Sequence, residues 1–476
     1  MQRVSGAPEA VGRAWPDAAG RARPTEHIVT IVGGGLAGCE AAWQAAERGV
    51  AVRLFEMRPT VRTPAHQTDR LAELVCSNSL KSESLEDASG LLKREMLALG
   101  SLILPSAEAN RVPAGSALAV DRAAFAAAVT RAIETHPKIE LIREEAPALP
   151  EERPVIVASG PLTSERLTAD LEERFSAFLE PPTAAPSTGR LLYFYDAISP
   201  IVSADSIDRE VAFAAARYEV GGADYLNCPF TREEYQRFRE ALLRGERYPL
   251  HDFERPKYFE GCLPVEELAE RGEDTLRFGP MRPVGLRDPR TGQRPFAVVQ
   301  LRQENRGSDG QPTMFNLVGF QTRLRRGNQA EVLRLIPGLE RAEILRYGSM
   351  HRNTFLAAPL LLERTLQFRG DAGVFIAGQL TGVEGYLESA VTGLLAGINA
   401  VRLLTGKPLV CPPPTTMLGG LLHYLVSTAP ATFQPINANF GLLPALSQVV
   451  RNRRERNHFL AVRAQADFAA WQRELE

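Results

Sequence analysis

A chain of 476 residues, 44% hydrophobic and 24% charged, has ordinary soluble composition, with length for two or three domains and a large core. Its net charge of −2 carries no global signature of a nucleic-acid binder, so any RNA-binding surface must be local. The five cysteines, at 39, 76, 228, 262 and 411, show no CxxC spacing and no histidines at zinc intervals, which supports neither a metal site nor a disulfide framework.

Residues 1–26, rich in Ala, Arg, Pro and Gly, read as a disordered extension without the apolar centre of a secretory signal. No uninterrupted apolar run approaches the roughly 20 residues of a membrane helix. The expectation is a cytoplasmic protein with no membrane contact, working as a monomer.

Ile28, Val29, Ile31 and Val32 form a β-branched run of the kind a buried parallel strand needs, and it stops at Gly33, Gly34 and Gly35. Gly33 permits a sharp strand-to-helix turn, Gly35 lets backbone approach a pyrophosphate, and Gly38 lets the next helix pack close to the strand. That helix runs from about Leu36 and Ala37 to Arg48, its N–H groups and dipole facing the phosphates, with Ala41, Ala42, Ala45 and Ala46 keeping it slim. A second strand, Val50 to Phe55, ends at Glu56, eighteen residues beyond Gly38, where a carboxylate can accept from an adenosine ribose. This strand–glycine–helix–strand–acid unit predicts a dinucleotide site, flavin or nicotinamide.

Beyond it, residues 58–110 turn polar and irregular, with a helical stretch from Gly90 to Leu99. A helix follows over Asp121–Thr135, then a strand over Ile139–Arg143 and a return strand, PVIVASG, over Pro154–Gly160 that belongs with the first two. From Leu191 to Arg326 short aromatic and β-branched runs (LLYFYDAIS, FAVVQLR, FNLVGFQT) alternate with Pro- and Gly-rich loops, which predicts an inserted domain over 191–326. The flanking parts, 27–190 and 327–476, then form one discontinuous α/β domain. In its second half, VFIAG (Val374–Gly378), the loop GQLTGVEGY and a helix over Leu387–Leu404 make a second strand–glycine–helix unit. Gly378, Gln379 and Gly385 belong to that unit, which favours FAD over nicotinamide as the bound dinucleotide.

Among residues that could carry chemistry, Cys76 stands in VCSNSLK, where hydroxyls and Lys81 can lower a thiol pKa toward neutrality and make a nucleophile. Cys228, in NCPF, reads equally as a structural residue or a thiol presented by a loop before Pro229. Cys39, Cys262 and Cys411 read as small buried hydrophobes. In Tyr347-Gly-Ser-Met-His351-Arg352, the His351 ring can stack on a flat heteroaromatic and Arg352 can bind a carboxylate; a helix-surface histidine is the plain alternative. The basic stretch Val449–Phe459 can contact phosphates or form a solvated helix face. Only five of the 55 basic residues are lysines, so arginine clusters carry less information here.

Taken together, GGGLAG, LVCSNSLKS, VPAGSALAVDR, VIVASGPLTS, LYFYDAISPIV, NCPF, FEGCLP, RYGSMHRNTF and GQLTGVEGYLESAVTGLLAG closely resemble the folate- and flavin-dependent tRNA (uracil-5-)-methyltransferases over nearly all of residues 27–476. The resemblance implies an FAD-binding Rossmann-like domain of the two-dinucleotide-binding flavoprotein type with an inserted α+β domain. It implies transfer of a one-carbon unit from methylenetetrahydrofolate to the T-loop uridine of the tRNA T-arm, with NADH or NADPH as reductant. It further implies that Cys76 and Cys228 are the catalytic thiols and that His351, with Tyr347 and Arg352 beside it, lies near the folate. Which thiol attacks the uracil stays open. A related flavin- and folate-using family that modifies wobble uridines carries a long C-terminal helical extension for which this chain has little room. A tRNA-binding flavoprotein with inert thiols, and an ordinary small-molecule flavin oxidoreductase, are the remaining alternatives.

Overall fold

The computed structural model describes residues 27–63, 65–179, 191–217, 224–248, 263–306 and 310–475, with backbone alone for 191–198 and 350–352. The N-terminal extension, Cys262 and the side chains of His351 and Arg352 therefore lie outside the described residues.

Strand β1 (Ile28–Val32) pairs in parallel with β2 (Ala51–Phe55) on one side and with Val155–Val157 on the other. Ile139–Ile142 lies beyond β2, and Asp371–Ile376 lies beyond Val155–Val157, both parallel; Gln367–Phe368 closes the sheet as an antiparallel edge. The run of Val29, Ile31 and Val32 is buried because the sheet is covered on both faces, as parallel sheets are.

Helix α1 (Leu36–Glu47) follows β1, and its alanines serve more than slimness. The long helix Tyr386–Leu404 lies against them so closely that a Cβ at Gly393 would meet the Ala37 carbonyl oxygen at 2.0 Å, and one at Gly397 the Ala41 oxygen at 2.6 Å. That helix is long and apolar enough to cross a bilayer, yet most of it is buried inside the fold, as a core helix should be. The predicted α/β, Rossmann-like domain with an insertion is thus the observed fold.

The insertion forms its own antiparallel sheet, in the order Phe213–Ala214, Tyr225–Phe230, Ala297–Gln303, Met314–Leu317, Ile201–Ser203, Ile344–Arg346. Its core contains Val332, Leu333, Ile336, Leu339 and Ala342, so it runs past residue 326, where the sequence pattern had ended it. The helix Arg326–Leu333 packs beside Arg232–Arg244, with Val332 and Leu333 in the core of the insertion rather than in the first domain. Both chain crossings between the domains run side by side, as an antiparallel ribbon of Leu191–Ile198 and Ser349–Leu356 in which His351 opposes Asp196 and Arg352 opposes Tyr195.

Candidate active site

A cleft with about 1030 Å³ of atom-free space opens at the carboxyl end of the parallel sheet, lined by Gly33, Gly34, Gly35, Leu36, Ala37, Glu56, Gly378 and Gln379 among others. The glycines divide the work as elementary geometry requires. Gly33 has φ +107, and a Cβ there would lie 2.4 Å from the Ala158 oxygen. At Gly38 a Cβ would lie 1.7 Å from the Gly33 oxygen, so helix and turn touch backbone to backbone. Gly35, the N-cap of α1, has nothing within 4 Å of where its Cβ would be, which leaves open space beside the helix's free N–H groups for a phosphate. These residues fit a dinucleotide.

Glu56 is buried at the cleft wall, accepting from Gly34 N (3.0 Å) and from Arg58 N and Nε (3.0 and 2.8 Å). Burial works against its charge, but the Arg58 guanidinium and those N–H groups win and hold the carboxyl below the ordinary carboxylate range. Arg58, itself buried, continues to Glu73 (3.2 Å) and to the Thr68 carbonyl (3.1 Å), tying the loop after β2 over the cleft with Thr63 and His66. Removing one member of such a buried pair costs about 3–5 kcal/mol. The sequence pattern named Glu56 and missed Arg58, although a charged residue two positions after the acid was its available signal.

Gly378 (φ +73) donates its N–H to Thr392 Oγ1 and abuts Ala37, so the second strand–glycine–helix unit meets the first at the cleft. Gly385 does not line the cleft as anticipated. It takes φ +121 at the start of the long helix, and a Cβ there would meet Glu388 Oε2 at 2.3 Å and Lys81 Nζ at 2.9 Å, so it makes room for an ion pair. That pair, Lys81 Nζ to Glu388 Oε1 at 2.7 Å, gives the ammonium a carboxylate partner far along the chain.

Cys76 sits at the junction of cleft and domain seam, partly exposed. Its neighbour Val75 lines the cleft, and the hydroxyl of Tyr386, another cleft residue, accepts from Cys76 N (2.8 Å) and Ser77 N (3.1 Å). Arg122 braces the same loop, donating to the Leu74 carbonyl (2.6 Å) and the Cys76 carbonyl (2.9 Å) while its other edge engages Glu304 of the insertion. Asn78, fully buried, donates to Val120 O and Gln303 O and accepts from Arg302 Nε at 2.8 Å. Three guanidinium groups, of Arg122, Arg302 and Arg346, thus have Cys76 as an electrostatic neighbour.

Cys228 is not brought to this place. In Tyr225–Phe230 alternate side chains point to opposite faces. Tyr225 faces the first domain, its Oη donating to the Ala114 carbonyl, and Asn227 bonds to Phe213, Ala215 and Gln300 of the insertion, whereas Leu226, Cys228 and Phe230 enter the core of the insertion. Cys228 is 0% exposed, and burial pushes its thiol far above the ordinary range. The shared cleft with a thiol from each side is therefore not the arrangement in this structure. Cys39, also buried, points its Sγ at the Gly34 carbonyl, and Cys411 is partly buried, both as expected of small hydrophobes. Tyr347 lies outside the cleft lining, with Arg326 over its ring at 5.8 Å. On the other side of Lys81, Arg453, Arg456 and Asn457 of the basic tail line a polar groove with Asn437 and Asn439.

Fold and cleft define a dinucleotide-binding protein with the architecture of the two-dinucleotide flavoproteins. Residues 28–408 match the model of one family, glucose inhibited division protein A, and the chain belongs to that family. It is 57% identical over 445 residues to the Geobacter sulfurreducens protein named methylenetetrahydrofolate--tRNA-(uracil-5-)-methyltransferase TrmFO, covering 93% of this chain and 98% of that one. To the Bacillus subtilis protein of the same name it is 53% identical over 440 residues, 92% of this chain and 97% of that one. Among solved structures, Aquifex aeolicus GidA superposes with a TM-score of 0.64 at 18% identity over 94% of this chain and 73% of that chain, a likeness of fold.

Proposed function

We propose that this protein methylates carbon 5 of the T-loop uridine in tRNA, taking the one-carbon unit from methylenetetrahydrofolate, with FAD bound in the cleft and NADH or NADPH as the reductant. The observation that carries the reading is the position of Cys76, the one described thiol at the edge of the dinucleotide cleft and at a domain seam rich in guanidinium groups. The names of the 53–57% identical relatives, which extend over nearly the whole chain, support the same reaction.

Uracil carbon 5 is a poor nucleophile until a thiolate adds to carbon 6, so the reaction needs a sulfur that is accessible yet held. Tyr386 and Arg122 hold the backbone of the Cys76 loop, and the residue stays partly exposed. Gly33 to Ala37 would cradle a pyrophosphate, Glu56 would accept from the ribose, and Gly378 and Gln379 would border the far end of the cofactor. When bound, the flavin supplies the electrons that turn a methylene into a methyl. The groove with Lys81, Arg453 and Arg456 suits phosphates of an RNA backbone, which gives the local basic surface that the net charge of −2 required.

The purified protein is expected to be yellow and, with unmodified tRNA, NADPH and methylenetetrahydrofolate labelled in its one-carbon unit, to place label at uracil carbon 5. A flavin that binds and is reduced while no label enters tRNA contradicts the assignment.

A further inference from the structure

The polar groove beyond Lys81 has about 1250 Å³ of atom-free space, and one buried carboxylate joins it to the dinucleotide cleft. Glu388, 0% exposed, belongs to the helix that presents Tyr386 and Ser389 to the cleft. Its Oε1 accepts from Lys81 Nζ and, at 2.9 Å, from Ala438 N, and both of those residues line the groove. Whatever occupies the groove therefore sits one side chain away from the wall of the cleft.

Three kinds of group line it. Lys81, Arg453 and Arg456 supply positive charge, against Asp87 as the acid among the described lining residues. Arg454 is tied to Glu86 at 2.7 Å, whereas Arg453 and Arg456 are exposed and have no described ion pair. Lys81 is fixed in place, with φ +62 and with Lys93 Nζ donating to the carbonyls of Lys81 and Ser82 at 3.0 and 2.7 Å. The second kind is carboxamide. The half-buried side chain of Asn437 makes no described hydrogen bond, and Asn457 Oδ1 is shut off from solvent without a partner. Such an orphaned acceptor is uncommon in a folded protein and calls for a donor from outside. The third kind is aromatic, the half-buried ring of Phe440.

We propose that the groove is a second nucleotide subsite, which takes a splayed base of the RNA loop beside the target nucleotide. Phe440 lies against the face of that base, Asn437 and Asn457 meet its edge, and Lys81, Arg453 and Arg456 bind the flanking phosphates. A basic groove with an aromatic platform and free hydrogen-bonding edges is the combination that single-stranded RNA requires. The phosphates of a duplex would use the charges and leave the ring and both carboxamides idle. The proposal deepens the reading that the substrate is tRNA and rests on it, but it depends on no role for either thiol.

The test reads binding alone, with full-length flavin-loaded protein and a fluorescent T-arm stem-loop RNA. Phe440→Leu, which keeps an apolar side chain against the core, is expected to weaken binding at least about fivefold with flavin absorbance retained, as loss of one stacked base does. Phe440→Tyr should stay within about twofold of wild type. Among stem-loops made abasic at one loop position at a time, a single position should cost the wild type as much as Phe440→Leu does and cost that variant nothing more. Asn437→Ala should narrow the preference among the four bases at that position by about threefold or more. Arg456→Gln should weaken every loop sequence alike and make the slope of log affinity against log salt shallower by about 0.7, one phosphate contact of a single strand. Affinities within about twofold of wild type for both Phe440→Leu and Arg456→Gln overturn the proposal. So do losses that add at every abasic position, which place the loop elsewhere. Unchanged RNA binding with a raised KM for methylenetetrahydrofolate overturns it too, by assigning the groove to carboxylates of the folate. Wild-type protein that binds no stem-loop refutes instead the tRNA reading on which the proposal stands.

Discussion

Two thiols of this chain that the sequence offers for chemistry have opposite surroundings. Cys76 lies on a loop between strands, where its own N–H and carbonyl are bonded by side chains from elsewhere: Tyr386 at the start of the long helix Tyr386–Leu404 and Arg122 from the helix beginning at that residue. Cys228 lies within a central strand, where the ladder satisfies the backbone and period-two alternation sends the sulfur among Leu226, Phe230, Val299 and Leu301. The difference teaches that a loop with borrowed hydrogen bonds can present a side chain, whereas a strand in a packed sheet commits every second side chain to the core.

The largest effect that separates the two is on chemistry. Cys76→Ala is expected to lower tRNA methylation by about a thousandfold or more while leaving flavin absorbance intact, since the proposed function makes its sulfur a reacting atom and its side chain is not among those lining the cleft. Loss of flavin in that variant would mean that the loop is part of the cofactor site. Next comes the brace. Arg122→Ala frees both carbonyls of the Cys76 loop and leaves Glu304, 2% exposed in its side chain, without its partner; a misplaced nucleophile is expected to cost on the order of 100-fold in kcat at full tRNA binding. Unchanged kcat in the assay would show that Tyr386 alone holds the loop.

Cys228 should move stability instead. Cys228→Ala is expected to cost about 1 kcal/mol and Cys228→Ser about 1–3 kcal/mol, because serine buries an unpartnered hydroxyl, with methylation at 25 °C within about twofold of wild type in both. Denaturant midpoints beside initial rates distinguish this from a catalytic role, which would show full stability and lost activity.

The smallest effect concerns pH, and it tests whether buried polar groups outside the seam serve the fold alone. Glu95 accepts from Met417 N and Leu418 N, and Glu40 from Leu102 N and Ile103 N, each capping a helix start. Burial raises their carboxyl pKa to about 8 and about 7, against an ordinary 4.5. The folded chain then holds protons that the unfolded chain has released. Their contribution is complete below pH 4.5 and is lost as pH rises toward 7 for Glu40 and 8 for Glu95, at on the order of 1 kcal/mol per pH unit for each group. Glu95→Gln is expected to flatten the fall between pH 7 and 8 in urea melts; a curve parallel to wild type contradicts the raised carboxyl.

Much of this was legible along the chain because the dinucleotide unit is local. One stretch from Ile28 to Glu56 contains the strand, the turn, the helix and the acid, and each glycine has its geometric reason there. Even Cys228 was legible in part, since Leu226, Cys228 and Phe230 alternate with Tyr225 and Asn227 as a half-buried strand does, and the following proline drew attention to a loop that does not form. The seam was not legible. Arg302, Asn316 and Arg346 become neighbours only through strand register, and Lys81 meets Glu388 across 307 residues, so no spacing announces them.

The account's central claim, that one thiol is presented for chemistry and the other is locked in a core, is tested most directly by iodoacetamide labelling of the native, flavin-loaded protein with peptide mass spectrometry. Cys76 is expected to be carboxamidomethylated in proportion to the loss of tRNA methylation while Cys228 stays unmodified until the protein is unfolded. Labelling of Cys228 at a rate comparable to Cys76 in the folded protein would contradict it.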